Sequence, residues 1–208
     1  MLTKLTLKQF VTELATESPA PGGGSSAALT GAQGAALVSM YCRLSLDPAK
    51  YEAAKELGKI SDRARRLAFL LVEAVDRDSE SFKQVLEAYR LPRKNSEAKK
   101  LRSLAISNAY IGAARVPLQT ARYCLEIMEL GKQALGKGNP AAITDLGVGN
   151  LLAGAALRGA CYNVQINLSS IKDEVVRSEL AREMEELVQR GRSLAELNRE
   201  LIEKEQKV

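Results

Sequence analysis

The chain has 208 residues and a net charge of +5, from 30 basic and 25 acidic side chains, and it contains neither histidine nor tryptophan. Without histidine, Ser-His-Asp and Cys-His nucleophilic sites, His-ligated zinc and a histidine general base are all excluded. Any proton transfer has to run through carboxylates, lysines, tyrosines or thiols. The length predicts a single domain over residues 1–208.

Charge and cysteine usage indicate the surroundings of the protein. The mild positive charge favours an anionic partner, but scattered basic residues without an aromatic stacking motif predict no nucleic-acid binding. Cys42, Cys124 and Cys161 are far apart and odd in number, the usage typical of buried thiols in a reducing compartment. The first dozen residues predict an amphipathic helix rather than a signal peptide, so the expected location is the cytoplasm.

The first half of the chain predicts helices throughout. A capping box at Thr6–Gln9 begins a short helix that ends near Thr16. After a Pro/Gly loop, residues 27–46 carry one charge among small residues, which predicts a central buried helix. Its chargeless part is shorter than the roughly 20 apolar residues that a membrane span needs, so no membrane partner is expected. Asp47 and Pro48 predict the start of a long helix.

The second half continues the helical pattern. A long helix over residues 96–134 contains Pro117, which predicts a kink. Asn139 and Pro140 begin a second nearly chargeless helix, residues 140–168, and residues 172–205 form a charged helix with one apolar stripe. Because no strand pattern is present, we predict an all-α bundle of five or six mostly long helices. Two nearly chargeless helices have more apolar surface than such a bundle usually buries, which predicts a homodimer that covers part of it.

Two features can carry chemistry at the ends or seams of these helices. A glycine-serine run, Gly22, Gly23, Gly24, Ser25 and Ser26, opens the central helix, where backbone N–H groups attract anions; a tight turn with a serine cap explains the same residues. Asp78 and Asp145 interrupt apolar faces. Such a carboxylate either pairs with an arginine, such as Arg115 or Arg158, or is available for acid/base work.

Two further features are suited to binding. Asn163 and Asn167 offer paired donors and acceptors for a heterocycle edge, although capping and helix-helix hydrogen bonds explain them equally well. A basic cluster around the loop after the long helix is suited to a polyanionic tail, although most such runs are solvated surface; it comprises Arg90, Arg93, Lys94, Lys99, Lys100 and Arg102.

Five ordered motifs of the chain resemble the cyclodeaminase/cyclohydrolase family of folate enzymes. They are Pro19–Ala28, Asp78–Phe82, Ala114–Pro117, Gly138–Asn139 with Asp145, and Ala160–Leu168. The family includes formiminotetrahydrofolate cyclodeaminase and stand-alone bacterial methenyltetrahydrofolate cyclohydrolase. One departure is Ser81, where the family more often has alanine.

The resemblance implies a tetrahydrofolate substrate whose one-carbon unit bridges N5 and N10. From apolar placement and membership of these motifs, we assign the acid/base role to Asp78 or Asp145, and pterin positioning to the glycine run with Asn139, Asn163 and Asn167. Lys132 and the basic cluster are assigned to the glutamate tail, and neither a metal nor a cofactor is expected.

The expected activity follows from the domain context that the resemblance suggests. The chain matches the cyclodeaminase-like module without the formiminotransferase domain of the animal enzyme, so we expect a cyclohydrolase. The alternative within the family is a cyclodeaminase. The alternative of another class is a non-catalytic helical protein that binds folate or scaffolds a partner.

Overall fold

The computed structural model describes residues 1–205, and over these residues it contains six α-helices, two short 3-10 turns and no β-strand. The predicted all-α class is therefore confirmed. In chain order the helices are α1 Leu7–Leu14, α2 Gly23–Arg43, α3 Ala54–Arg90, α4 Ser96–Ala134, α5 Ile143–Leu168 and α6 Glu174–Glu205. The 3-10 turns are Leu2–Lys4 and Pro140–Ala142.

The two nearly chargeless helices, α2 and α5, lie side by side and antiparallel at the centre of the bundle. A Cβ atom placed on Gly34 of α2 would lie 2.7 Å from the carbonyl oxygen of Gly149 and 3.0 Å from the nitrogen of Ala153 on α5. One α2 residue thus faces bare backbone of α5. Small residues permit this approach, which is why the sequence of both helices is rich in glycine and alanine.

Helix α3 begins later than the sequence predicts. The predicted start at Asp47 is wrong: Asp47 closes one turn, in which its carbonyl accepts from Tyr51 N at 2.9 Å and its carboxylate from Ala49 N at 3.0 Å. The continuous helix starts at Ala54, where the first buried residues of this segment occur. Local capping nucleates a turn, but tertiary packing is what extends a helix.

Helix α5 has one face that no other described helix covers. It packs against α2, α4 and α6, yet Leu151 and Ile166 on its remaining side are 68% and 71% exposed. The segment Pro140–Leu168 is also long and apolar enough to cross a membrane. An 18-residue window within it has a mean hydropathy of 1.2, and 44% of that window is buried. The absence of a membrane partner therefore stays a prediction.

The backbone contact at Gly34 predicts a specific loss of stability. We expect Gly34→Ala to lower the free energy of unfolding by about 1–3 kcal/mol, because the added methyl meets backbone that cannot rotate away. The matched control is Gly58→Ala in α3, where the new Cβ meets only Leu46 Cδ2 at 3.7 Å. The control should gain up to about 1 kcal/mol from helix propensity. Urea denaturation measures both, and equal effects would contradict the packing argument.

Candidate active site

The carboxylate of Asp78 lies at the N-terminus of α2, although it belongs to α3. Ser25 Oγ donates a hydrogen bond to Asp78 Oδ2 at 2.8 Å. Burial raises the pKa of the Asp78 carboxyl above its ordinary value, and hydrogen bonding from Ser25 opposes part of that rise. The first turn of α2 has no side-chain cap of its own. A carboxylate from a neighbouring helix supplies the negative charge that this helix end favours.

The glycines of the run form the first turn of α2 rather than a loop. Gly22 is the N-cap residue, so the alternative of a serine cap is wrong. A Cβ on Gly24 would overlap the carboxylate of Asp78, and a Cβ on Gly23 would lie 3.3 Å from Asn163 Nδ2. The two glycines therefore admit Asp78 from α3 and Asn163 from α5 to the same helix end.

Asn167 is engaged with the backbone of two helices. Pro117 lies inside α4 and lacks an N–H, so the carbonyl of Ala113, four residues earlier, loses its helical donor. Asn167 Nδ2 donates to that carbonyl at 3.1 Å and to the carbonyl of Asn163 at 2.7 Å. Both amide hydrogens are thus used structurally. The role of Asn167 in substrate binding and the kink at Pro117 stay predictions.

Asn163 and Ser26 also lie at this end of the bundle. Asn163 Nδ2 donates to the carbonyl of Gly159 at 2.9 Å, while its side-chain oxygen accepts no hydrogen bond from residues 1–205. Ser26 Oγ is buried and has no hydrogen-bond partner among the described residues. Of these two atoms, only the side-chain oxygen of Asn163 is left for another group, because Ser26 Oγ is buried.

Neither aspartate is paired with an arginine in the described part of the chain. The salt bridges found among residues 1–205 include neither Asp78 nor Asp145. Arg158 lies instead 5.3 Å from the ring centre of Tyr162, and Arg115 is exposed. The alternative in which arginines neutralise these carboxylates is not what the structure shows.

Asp145 lies at the opposite end of the bundle from Asp78. It is half-buried in the first turn of α5, whereas Asn163, which adjoins the Asp78 site, is 18 positions later on the same helix. At a rise of 1.5 Å per residue this separation is about 27 Å. Within one chain the two predicted carboxylates therefore belong to different sites.

Asn139 is part of a structured turn beside Asp145. Its side chain accepts from Ala141 N at 3.0 Å and its backbone N–H donates to Ser45 Oγ at 2.7 Å. The neighbouring Gly138 N–H donates to the hydroxyl of Tyr41 at 3.0 Å. The motif at Gly138–Asn139 is thus hydrogen-bonded to residues at the C-terminal end of α2.

Lys132 and the basic cluster lie at opposite ends of α4. Lys132 is exposed in the last turns of the helix, whereas Lys99 and Lys100 are in its first turns. Some 32 residues of helix separate Lys100 from Lys132, or about 48 Å. One folate tail cannot contact both within a single chain. The cluster borders a groove of about 740 Å³ that also contains Lys172.

Sequence reasoning missed the contacts that organise these residues. It singled out Ser25, Asp78, Pro117 and Asn167 separately, yet the bonds join positions 53 and 54 residues apart. The signal for one pair was present, because an internal proline always frees a carbonyl that some donor has to satisfy.

The link between Pro117 and Asn167 predicts a coupling that can be measured. Asn167→Ala should lower the free energy of unfolding by about 1–3 kcal/mol, because the buried Ala113 carbonyl loses its donor. Pro117→Ala restores a backbone N–H, so the double variant should recover much of this loss. Urea denaturation of the four proteins in a double-mutant cycle tests the link, and additive effects would contradict it.

Comparisons with known proteins identify the family of this chain. Residues 6–186 match the model of the family described as formiminotransferase-cyclodeaminase. The chain is 38% identical over 192 residues to a Methylorubrum extorquens protein named methenyltetrahydrofolate cyclohydrolase, covering 92% of each chain. It is 30% identical to mouse formimidoyltransferase-cyclodeaminase, covering 94% of this chain and 36% of the mouse enzyme.

The fold also has a solved counterpart. The crystal structure of a formiminotetrahydrofolate cyclodeaminase from Thermotoga maritima superposes with a TM-score of 0.87 and 24% identity, covering 98% of both chains. The motifs, the fold and the family match lead to one conclusion: this chain belongs to the formiminotransferase-cyclodeaminase family.

Proposed function

We propose that this chain is a methenyltetrahydrofolate cyclohydrolase in which Asp78 is the acid/base group. The observation that carries the proposal is the half-buried, hydrogen-bonded carboxylate of Asp78 at the start of a chargeless helix. The similarity to the Methylorubrum protein of that name, over nearly the full length of both chains, supports the choice of reaction.

The reaction needs one group that can take and return a proton. The substrate is an amidinium cation whose bridging carbon joins N5 and N10. Water adds to that carbon and passes one proton to Asp78, which gives a tetrahedral carbinolamine. The bond from carbon to N5 then breaks as N5 takes the proton from Asp78, and loss of the remaining hydroxyl proton gives the 10-formyl product.

The surroundings of Asp78 suit both halves of this cycle. An ionised carboxylate near the bridging carbon stabilises the cation and orients the water. Burial raises the pKa of Asp78 towards the working pH, where a group that both accepts and donates is most effective. The unpaired side-chain oxygen of Asn163 is placed to bind a polar edge of the pterin.

Asp78→Asn tests the acid/base role. We expect turnover to fall by about 10²–10⁴-fold. The free energy of unfolding at pH 7 should not fall, because a carboxyl whose pKa is higher in the folded state than in the unfolded state destabilises the fold once it is ionised. Loss of methenyltetrahydrofolate absorbance measures turnover, and urea denaturation measures stability. Wild-type turnover in this variant would refute the role of Asp78.

The same absorbance separates the alternatives. A cyclohydrolase bleaches methenyltetrahydrofolate, whereas a cyclodeaminase forms it from formiminotetrahydrofolate as N10 attacks and ammonia leaves. If only the second reaction is seen, the family alternative holds. If neither is seen in folded protein, the chain is a non-catalytic folate-binding or scaffold protein.

The proposal includes a homodimer formed through the uncovered face of α5. On that face the exposed apolar side chains form two groups, Val148 with Leu151 and Tyr162 with Ile166, on either side of the exposed Arg158. Exposed apolar groups of this size are typical of an interface. A twofold axis near the middle of α5 would make this face meet its own copy.

A dimer of this kind would unite the two ends of the site. Asp145 lies about 27 Å along α5 from Asn163, which adjoins Asp78, so the two aspartates are at opposite ends of the bundle. An antiparallel pairing of two copies of α5 brings the Asp145 end of one copy to the Asp78 end of the other. Each dimer would then contain two sites, with Asp145 helping to hold the substrate cation.

Mixing two inactive variants tests the shared site. If both aspartates are needed, Asp78→Asn and Asp145→Asn are each inactive, but a heterodimer contains one site with both carboxylates. An equal mixture after subunit exchange should regain about a quarter of wild-type activity. Mass spectrometry confirms exchange. No recovery in a fully exchanged mixture of two inactive variants would rule out sharing.

The remaining parts of the proposal concern partners and location. The groove bordered by Lys99, Lys100 and Lys172 is suited to the anionic glutamate tail of folate. No cofactor besides the folate substrate enters the reaction, and no nucleic acid or membrane takes part. The free, buried thiols of the three cysteines support a cytoplasmic location.

A further inference from the structure

Ser25 contacts the carboxylate of Asp78 from inside the bundle and is shielded from solvent. Its side chain is fully buried, at 0% exposure, so a ligand cannot reach it. Its hydroxyl faces two acceptors, Asp78 Oδ2 at 2.8 Å and the carbonyl oxygen of Val75 at 3.2 Å. Both acceptors belong to α3. The single hydroxyl hydrogen of Ser25 can therefore be donated to either of two acceptors.

We infer that Ser25 is a positioning residue whose hydroxyl turns between these two acceptors as Asp78 loses and regains its proton. This inference rests on the proposed acid/base role of Asp78. When Asp78 is ionised, Ser25 donates to Oδ2 and fixes the carboxylate. When Asp78 is protonated, the Ser25 hydroxyl donates to the Val75 carbonyl and accepts from the Asp78 O–H.

The turning hydroxyl solves a specific problem of buried acid/base groups. A donor fixed on Oδ2 stabilises the ionised carboxyl more than the protonated one, because its hydrogen bond to a charged oxygen is the stronger. A fixed acceptor stabilises only the protonated form and leaves the ionised carboxylate without a donor, which is costly. With two acceptors, Ser25 keeps the carboxyl bonded in both states, and its bond to the ionised form is the stronger of the two. The backbone N–H of Ser25 also donates to the Asp78 carboxylate, and Oδ1 accepts no side-chain hydrogen bond from residues 1–205.

Other charges do not complicate the titration of Asp78. Residues 18–42 of the α2 region and residues 159–171 at the end of α5 contain no charged side chain. Arg115 of α4 and Lys4 of the N-terminal segment are exposed. On α3 itself, Asp76 accepts from Leu2 N and Thr3 Oγ1, Arg77 donates to the carbonyl of Leu70, and Glu80 pairs with Lys83. Ser25 is therefore the neighbouring side chain that we expect to shift a pH profile that depends on Asp78.

The pH dependence of cyclohydrolase turnover tests the inference. Ser25→Ala removes the donor to Oδ2, so the pKa of Asp78 should rise and the acidic limb of the turnover profile should move up by about one pH unit. The value of kcat should fall with little change in KM, since Ser25 does not touch the substrate. Ser25→Cys keeps a side chain of similar size with a weak donor and should move the limb in the same direction.

Ser39→Ala is the matched control. Ser39 lies on the same helix, is similarly buried, and donates from Oγ to the carbonyl of Ser61 at 3.0 Å. Its loss should lower stability without moving the limb. If both Ser25 variants keep the wild-type limb while Asp78→Asn is inactive, the inference is overturned and the proposed function stands. If Asp78→Asn is active, the proposed function itself fails. If Ser25→Ala does not fold, Ser25→Cys decides.

Discussion

The N-terminus of α2 is the point on which the architecture depends. A helix whose first 20 residues carry no charge has no side chain of its own to balance the partial positive charge at its start. Asp78 supplies that balance from α3, and Gly24 makes room for it. The same contact that satisfies the helix end places a carboxylate in a half-buried position beside Asn163. Structure and chemistry therefore share one interaction.

This sharing has an energetic cost. Burial raises the pKa of Asp78, which means that the ionised form, relative to the protonated form, is less stable in the fold than in water. The packing of α2 against α5 through Gly34 and its neighbours contributes the stability that offsets such a site. The energetic cost thus falls on Asp78 of α3, while the compensating packing involves Gly34 of α2.

The sequence was sufficient to predict the helices and to select candidate residues for the site, because helical periodicity and chargeless segments are local signals. It could not show that Asp78 and Asp145 lie at opposite ends, since that depends on the antiparallel packing of α2 and α5. It also misplaced the start of α3 at Asp47, where local capping chemistry closes a turn that packing does not extend. The pairings of Ser25 with Asp78 and of Pro117 with Asn167 are tertiary.

The bond from Asn167 to the carbonyl freed by Pro117 also limits how the bundle can move. Two packed helices ordinarily slide past each other by small shear motions. Here the hydrogen bond from Asn167 fixes α5 relative to α4 along their length, because a shift by one helical turn would leave the Ala113 carbonyl without its donor.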